Sequence, residues 1–114
     1  MTTVIIHKNS DGRYKGFLCM GHAGYAKRKL FGREPDILCS AISALVIGTI
    51  NALDELAGEK LKVVENEATG FIQCDFESTL QEKSVFLVDA LVFSLENLSR
   101  EYGAQYLQIK FEEV

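Results

Sequence analysis

Two short runs rich in aliphatic and aromatic residues, Val4 to His7 and Tyr14 to Met20, flank the polar stretch Asn9-Ser10-Asp11-Gly12. Asn, Asp and Gly supply the turn and left-handed positions that a tight reversal needs, so this part of the chain predicts a β-hairpin. The pattern then changes period. From Cys39 to Ala57 the residues Ile42, Leu45 or Val46, Thr49 or Ile50, Leu53 and Leu56 recur every three to four positions, and Gly58 stands where a left-handed residue ends a helix. Leu61 to Val64 and Phe71 to Phe76 predict two further strands around Ala68-Thr69-Gly70. A second helical period runs through Val88, Leu91, Leu95, Leu98 and Tyr102 to Gly103, and Tyr106, Ile109 and Phe111 fit a last strand.

The resulting order, β-β-α-β-β-α-β, predicts an α+β fold: a single domain of two helices packed on a mixed sheet, spanning residues 1–114. Its two β-β-α units resemble each other in outline. Between the hairpin and the first helix, Pro35 restrains Glu34 towards extended backbone, and Gly24 to Glu34 carry neither a strand nor a helix period. A mobile loop at 24–35 is the expectation. Val46 and Ile47 on the first helix, and Val85, Phe86, Val92 and Phe93 on the second, lie outside a single apolar stripe. They call for burial between the helices or against a second subunit, which makes a homodimer the expected assembly.

Composition narrows the class. The chain has 114 residues, 47% of them apolar, which suits one hydrophobic core. With neither a cleavable leader pattern nor an uninterrupted apolar run of membrane-spanning length, the expectation is a soluble, cytoplasmic protein without a membrane partner. Cys19, Cys39 and Cys74 are odd in number and lack CxxC spacing, so reduced thiols are expected. A formal net charge of -4 disfavours direct nucleic-acid binding and leaves a basic protein partner open.

Chemistry concentrates in "GHAGYAKRKLFGREPDILCSAISAL", Gly21 to Leu45. Cys39 stands near a helix start with Asp36 three positions ahead as an N-cap; free amides and the dipole at such an end favour thiolate over thiol and receive negative charge on a substrate oxygen. The competing reading is a small apolar residue packed in a helix start. His22, with little side-chain bulk around it at Gly21, Ala23 and Gly24, is either a general base, since imidazole titrates near neutrality, or a solvated loop residue. His7 fits a face-packed or edge position in a strand. Ser43, four residues after Cys39, shares its face and either orients a reacting group or bonds to its own preceding turn; no GxSxG elbow accompanies Ser40 or Ser43. The cysteines and histidines match no compact zinc spacing, the glycines form no phosphate loop, and Lys27 to Lys29 read as a solvated loop, so neither a metal nor a cofactor is expected.

"GHAGYA" at Gly21 to Ala26 followed by "DILCSAISAL" at Asp36 to Leu45 resembles the bacterial ribosomal-processing cysteine protease family called Prp, and the resemblance covers essentially the whole chain. It implies a cysteine endopeptidase in which His22 is the base and Cys39 the nucleophile of a dyad. The implied substrate is the N-terminal extension of a basic large-subunit ribosomal protein, the one numbered twenty-seven, removed during ribosome maturation. Asp36 and Ser43 match the polar positions around the family's cysteine, and Gly21 and Ala23 the close packing around its histidine. The resemblance also implies a homodimer, no cofactor, and backbone oxyanion donors near Ser40 and Ala41; Asp36 stands either as an orienter of His22 or as a helix cap. Two departures are a longer segment between His22 and Cys39, including "RKLFGREP", and Ser40 where the family often has alanine. The alternative is a non-enzymatic ribosomal-protein-binding or ribosome-assembly module.

Overall fold

The computed structural model describes residues 1–23, 28–29, 32–33 and 36–114. Strands β1 (Thr2–Lys8) and β2 (Tyr14–Met20) form the N-terminal hairpin, and β3 (Arg28–Lys29) pairs with β4 (Gly32–Arg33) in a short antiparallel ladder of its own. Helix α1 (Ile37–Asn51) continues into a wider π turn, Ala52–Leu56, before β5 (Leu61–Asn66) and β6 (Phe71–Phe76). Helix α2 (Glu82–Tyr102) and β7 (Leu107–Glu113) complete the chain. Apart from the β3–β4 ladder, the β-β-α-β-β-α-β order is the observed one. The β3–β4 ladder falls in the segment that shows no strand period in sequence, and the rest of the mobile loop expected at 24–35 lies outside the described residues.

Five strands make one sheet in the order β5-β6-β2-β1-β7, with β7 parallel to β1 and every other neighbour antiparallel. Alternation explains the layer. Thr2, Val4 and Ile6 of β1, Phe17 and Cys19 of β2, Cys74 and Phe76 of β6 and Leu107 of β7 are buried on the face that receives the helices. Leu38, Ile42, Val46 and Leu53 from the first helical run, with Val88, Leu91, Val92 and Leu95 from α2, belong to the same core cluster. Phe17 and Phe76 meet edge to face with ring centroids 6.0 Å apart.

Val46 and Val92 therefore belong to the core rather than to an outward surface, because α1 and α2 pack against each other as well as against the sheet. Ile47, Phe86 and Phe93 do remain exposed. Leu107, rather than its neighbour Tyr106, anchors the last strand. The run Ile37–Leu56 spans 20 residues and is apolar enough, by length and composition, to cross a membrane. Serine, threonine and asparagine interrupt it in sequence and hide that length from a count of consecutive apolar residues. Gly58 ends the run at φ +69° as expected.

The topology gathers three chain segments at one end of the sheet. Thr3 lies opposite Met20 in the β1–β2 pair, and Cys19 opposite Ile72 in the β2–β6 pair. The end of β2 thus emerges between the start of β1 and the start of β6.

Candidate active site

Gly21 follows β2 in a left-handed conformation, φ +88°, and turns the chain away from the sheet. Only glycine fits there: a Cβ would stand 2.4 Å from the Met1 carbonyl oxygen. The turn exposes His22 and returns Ala23 to the core at 2% exposure. The small residues around the histidine thus have separate reasons, a tight backbone crossing at Gly21 and close packing at Ala23.

Cys39 comes from the opposite direction, in the first turn of α1. Asp36 is the N-cap, and its Oδ1 accepts a hydrogen bond from the Cys39 N–H at 2.9 Å. The capping half of the alternative weighed for Asp36 is therefore present in the geometry. The bond fixes the backbone that carries the sulfur, and Cys39 Sγ lies 3.9 Å from His22 Nδ1. Cys39 is half-buried and packs against the core cluster.

Ser40 N–H donates to the Asp36 carbonyl at 3.0 Å, closing the first helical turn. Ala41, one position further on, directs its amide to the preceding turn in the same way. These are the two amides the sequence reading assigns to an oxyanion, and both are engaged by the helix itself. In the first turn the Ile37, Leu38 and Cys39 amides have no helix carbonyl to bond, and the Cys39 amide is taken by Asp36 Oδ1. Ser43 is half-buried one turn after Cys39.

The remaining thiols and imidazole lie elsewhere. Cys19 and Cys74 are buried in β2 and β6. Burial, and next the neighbouring Cys39, pushes the Cys19 thiol up to about 11, while burial and then Asp75 push Cys74 up to about 12. His7 sits within β1, with Nε2 3.9 Å from Glu112 Oε2 of β7. Among the described residues no three His, Cys, Asp or Glu side chains cluster in a way that would hold a metal ion.

A half-buried thiol at a capped helix start beside an exposed imidazole is an arrangement for moving a proton off sulfur and presenting the sulfur to an electrophile. A separation of 3.9 Å is long for proton transfer, and unliganded sites commonly tighten when substrate binds. The sequence does not single out Gly70 as a neighbour of the site. The β5–β6 turn packs this residue against the Gly21 carbonyl and the His22 ring. Its signal was a glycine ahead of a strand, which specifies a turn and not a long-range contact.

A family model described as Cysteine protease Prp matches residues 1–107. The ribosomal processing cysteine protease Prp of Bacillus subtilis is 27% identical over 106 residues, covering 90% of each chain, and that of Staphylococcus aureus is 26% identical over 103 residues, covering 90% of this chain and 92% of its own. The fold matches the crystal structure of the essential ribosomal processing protease Prp from S. aureus with a covalently linked product peptide, at a TM-score of 0.84 and 23% identity, covering 98% of this chain and 100% of that one. The structure of the S. aureus protease with a substrate peptide matches at a TM-score of 0.80 and 21% identity, with the same coverage. Fold and family agree on the class, a cysteine protease. The chain belongs to the Prp family of cysteine proteases.

Proposed function

We propose that this chain is a cysteine endopeptidase that removes the N-terminal extension of the large-subunit ribosomal protein numbered twenty-seven during ribosome maturation in the cytoplasm, with Cys39 as nucleophile and His22 as base. The observation that carries the dyad is the 3.9 Å approach of Cys39 Sγ to His22 Nδ1 at the capped start of α1. The substrate rests on the family, whose S. aureus member binds a substrate peptide and is a ribosomal processing protease.

The chemistry follows from these two groups. With Nδ1 unprotonated, His22 accepts the thiol proton, and the thiolate adds to the scissile carbonyl. The carbonyl π electrons move onto oxygen, and the first-turn amides of Ile37 and Leu38 are the donors closest in chain position to receive that charge. Collapse of the tetrahedral species expels the leaving amine, which takes the proton from His22, and leaves a thioester on Cys39. His22 then removes a proton from water; the hydroxide displaces the thiolate, which recovers its proton as the carboxylate product leaves. Asp36 serves as the cap that fixes Cys39. No step requires a metal or a prosthetic group.

A homodimer belongs to the same proposal. A groove of about 280 Å³ runs between the helices, lined by the small residues Ala44, Gly48, Ala52, Ala90 and Ser94, and the exposed Ile47 and Phe93 stand on the same two helices. Sedimentation at micromolar concentration should give twice the 12.7 kDa chain mass, and Phe93→Glu should give the single mass.

The deciding experiment incubates the purified chain with a peptide spanning the leader junction of that ribosomal protein and follows cleavage by mass spectrometry. The wild type should cut once, and Cys39→Ala should bind without cutting. Binding without cleavage by the wild type would make the chain a ribosomal-protein-binding module instead.

A further inference from the structure

The β5–β6 turn contributes to the site through what it lacks. Asn66 caps this turn, its Oδ1 accepting from the Ala68 N–H at 3.1 Å, and Gly70 closes it at φ +66° immediately before β6. Antiparallel pairing of β6 with β2 brings Gly70 beside the peptide that links Gly21 to His22. A Cβ at position 70 would lie 2.6 Å from the Gly21 carbonyl oxygen and 3.1 Å from His22 Cε1. Both separations are below ordinary contact. The oxygen belongs to the backbone, so no rotamer change relieves the clash.

The histidine peptide has no room to retreat on its other side. A Cβ at Gly21 would be 2.4 Å from the Met1 carbonyl oxygen, so the chain is already in close contact with the start of β1. The Gly21–His22 peptide is held between the first residue of the chain and the β5–β6 turn. A side chain at position 70 must therefore move the peptide, and the imidazole with it.

We propose that Gly70 is a positioning residue for His22: its missing side chain lets the imidazole rest against the β5–β6 turn at the height where Nδ1 faces the Cys39 sulfur. This rests on the reading of His22 as the base. The bland explanation for the same glycine is its left-handed backbone alone, and Gly58 separates the two. Gly58 has nearly the same φ, +69°, yet nothing lies within 4 Å of a Cβ placed there.

The test compares Gly70→Ala, Gly58→Ala and His22→Ala for folding by circular dichroism, kcat and KM on the leader peptide, and the pH profile of Cys39 alkylation. Both glycine variants should lose melting temperature from the left-handed backbone, and Gly70→Ala more, because it adds the clash with the Gly21 carbonyl. Gly70→Ala alone should lower kcat, by roughly 10- to 100-fold with KM nearly unchanged, as expected for a misplaced proton acceptor. Its alkylation profile should become that of His22→Ala. Gly70→Asn, which tolerates the left-handed backbone but still carries a Cβ, should reproduce the loss of kcat with less loss of stability. Equal kcat in Gly70→Ala and Gly58→Ala would overturn the positioning role while leaving the dyad standing. Undiminished cleavage by His22→Ala would bring down the dyad and the positioning role together.

Discussion

Helix α1 closes its first turn with Asp36, three residues ahead of the cysteine it serves, whereas α2 is capped by Glu59, 22 residues upstream of Gln81. At α1 the carboxylate accepts from the Cys39 N–H, and the sulfur stays half-buried beside an exposed histidine. At α2 the N-cap residue Gln81 makes no side-chain cap. Its N–H donates to Glu59 Oε2 at 3.0 Å, while its Nε2 donates to Glu59 Oε1 at 3.1 Å and to the Ala57 carbonyl at 2.8 Å. Glu59 is only 8% exposed. Every helix start leaves orphan amides to be satisfied, and the source of the acceptor decides what else the helix end can do. A local cap leaves the flank of α1 open for chemistry; a remote one ties the end of the first helical run to the start of the second.

The contrast breaks most sharply if activity and stability fail to separate between the two helix ends. Cys39→Ala and His22→Ala should each lower kcat/KM on the leader peptide by about 10³-fold or more, because a nucleophile and its base act as one unit. Melting temperature should stay near wild type, since neither residue anchors the core. A large loss of stability in Cys39→Ala with partial activity would show that α1 starts as a packing joint, like α2.

Thiol labelling extends the contrast to the sheet beneath. At pH 7.5 Cys39 should alkylate well ahead of Cys19 and Cys74, whose thiols are pushed up to about 11 and about 12, chiefly by burial. The sign also sets an alkaline limit. A thiol raised in the folded state stabilises the fold below its ordinary value near 9, and that contribution disappears as pH rises through 11 and 12. Site-resolved mass spectrometry should therefore show Cys19 and Cys74 labelling only as the chain unfolds at high pH. Equal slow labelling of all three at pH 7.5 would leave Cys39 no more reactive than a core thiol.

Glu59→Gln tests the sealed end. Burial opposes the charge of Glu59, but hydrogen bonds from the Gln81 side chain and backbone, with Lys83 nearby, outweigh it and hold the carboxyl below its ordinary value. A depressed carboxyl stabilises the fold above its unfolded value near 4.5, and that stability is lost as pH falls through the folded value. The variant should lose about 1–3 kcal/mol at pH 7 by chemical denaturation, and its stability should vary less with pH on the acid side. Cleavage per folded molecule should be unchanged.

Sequence period and turn chemistry made the five strands of the main sheet, both helices and the Asp36 cap legible, because each depends on residues a few positions apart. His22 and Cys39 were legible as a pair only through the motif that joins them, since position and residue type alone favoured a loop histidine and a packed cysteine. The hidden features are long-range. Glu59 reads as a charged residue after a helix until α2 folds back on it, and Gly70 reads as a turn glycine until β6 is laid beside β2. Val46 and Val92 stood between burial against the other helix and burial against a second subunit, and only the packing of α1 on α2 decides for the core. The engagement of the Ser40 amide was hidden too, because it follows from where the helix begins: with Ile37 first and Asp36 as its cap, that amide closes the first turn.

The smallest expected effect is also the one that sharpens the role of Asp36. As a cap, its work is done by a side-chain oxygen accepting from the Cys39 amide at 2.9 Å, and asparagine offers the same oxygen on the same stem. Asp36→Asn should therefore keep stability within a few tenths of a kcal/mol and kcat/KM within roughly threefold, while Asp36→Ala, which deletes the acceptor, should cost about 1 kcal/mol. A carboxylate that instead orients and charges the imidazole cannot be replaced by a neutral amide, and its loss would lower kcat by about 10⁴-fold, as removal of the acid's charge does in a triad. The measurements are kcat/KM on the leader peptide and urea denaturation for both variants. A collapse of kcat in Asp36→Asn at full stability would move Asp36 from cap to third catalytic group, and the two helix ends would then differ in chemistry as well as in the origin of their caps.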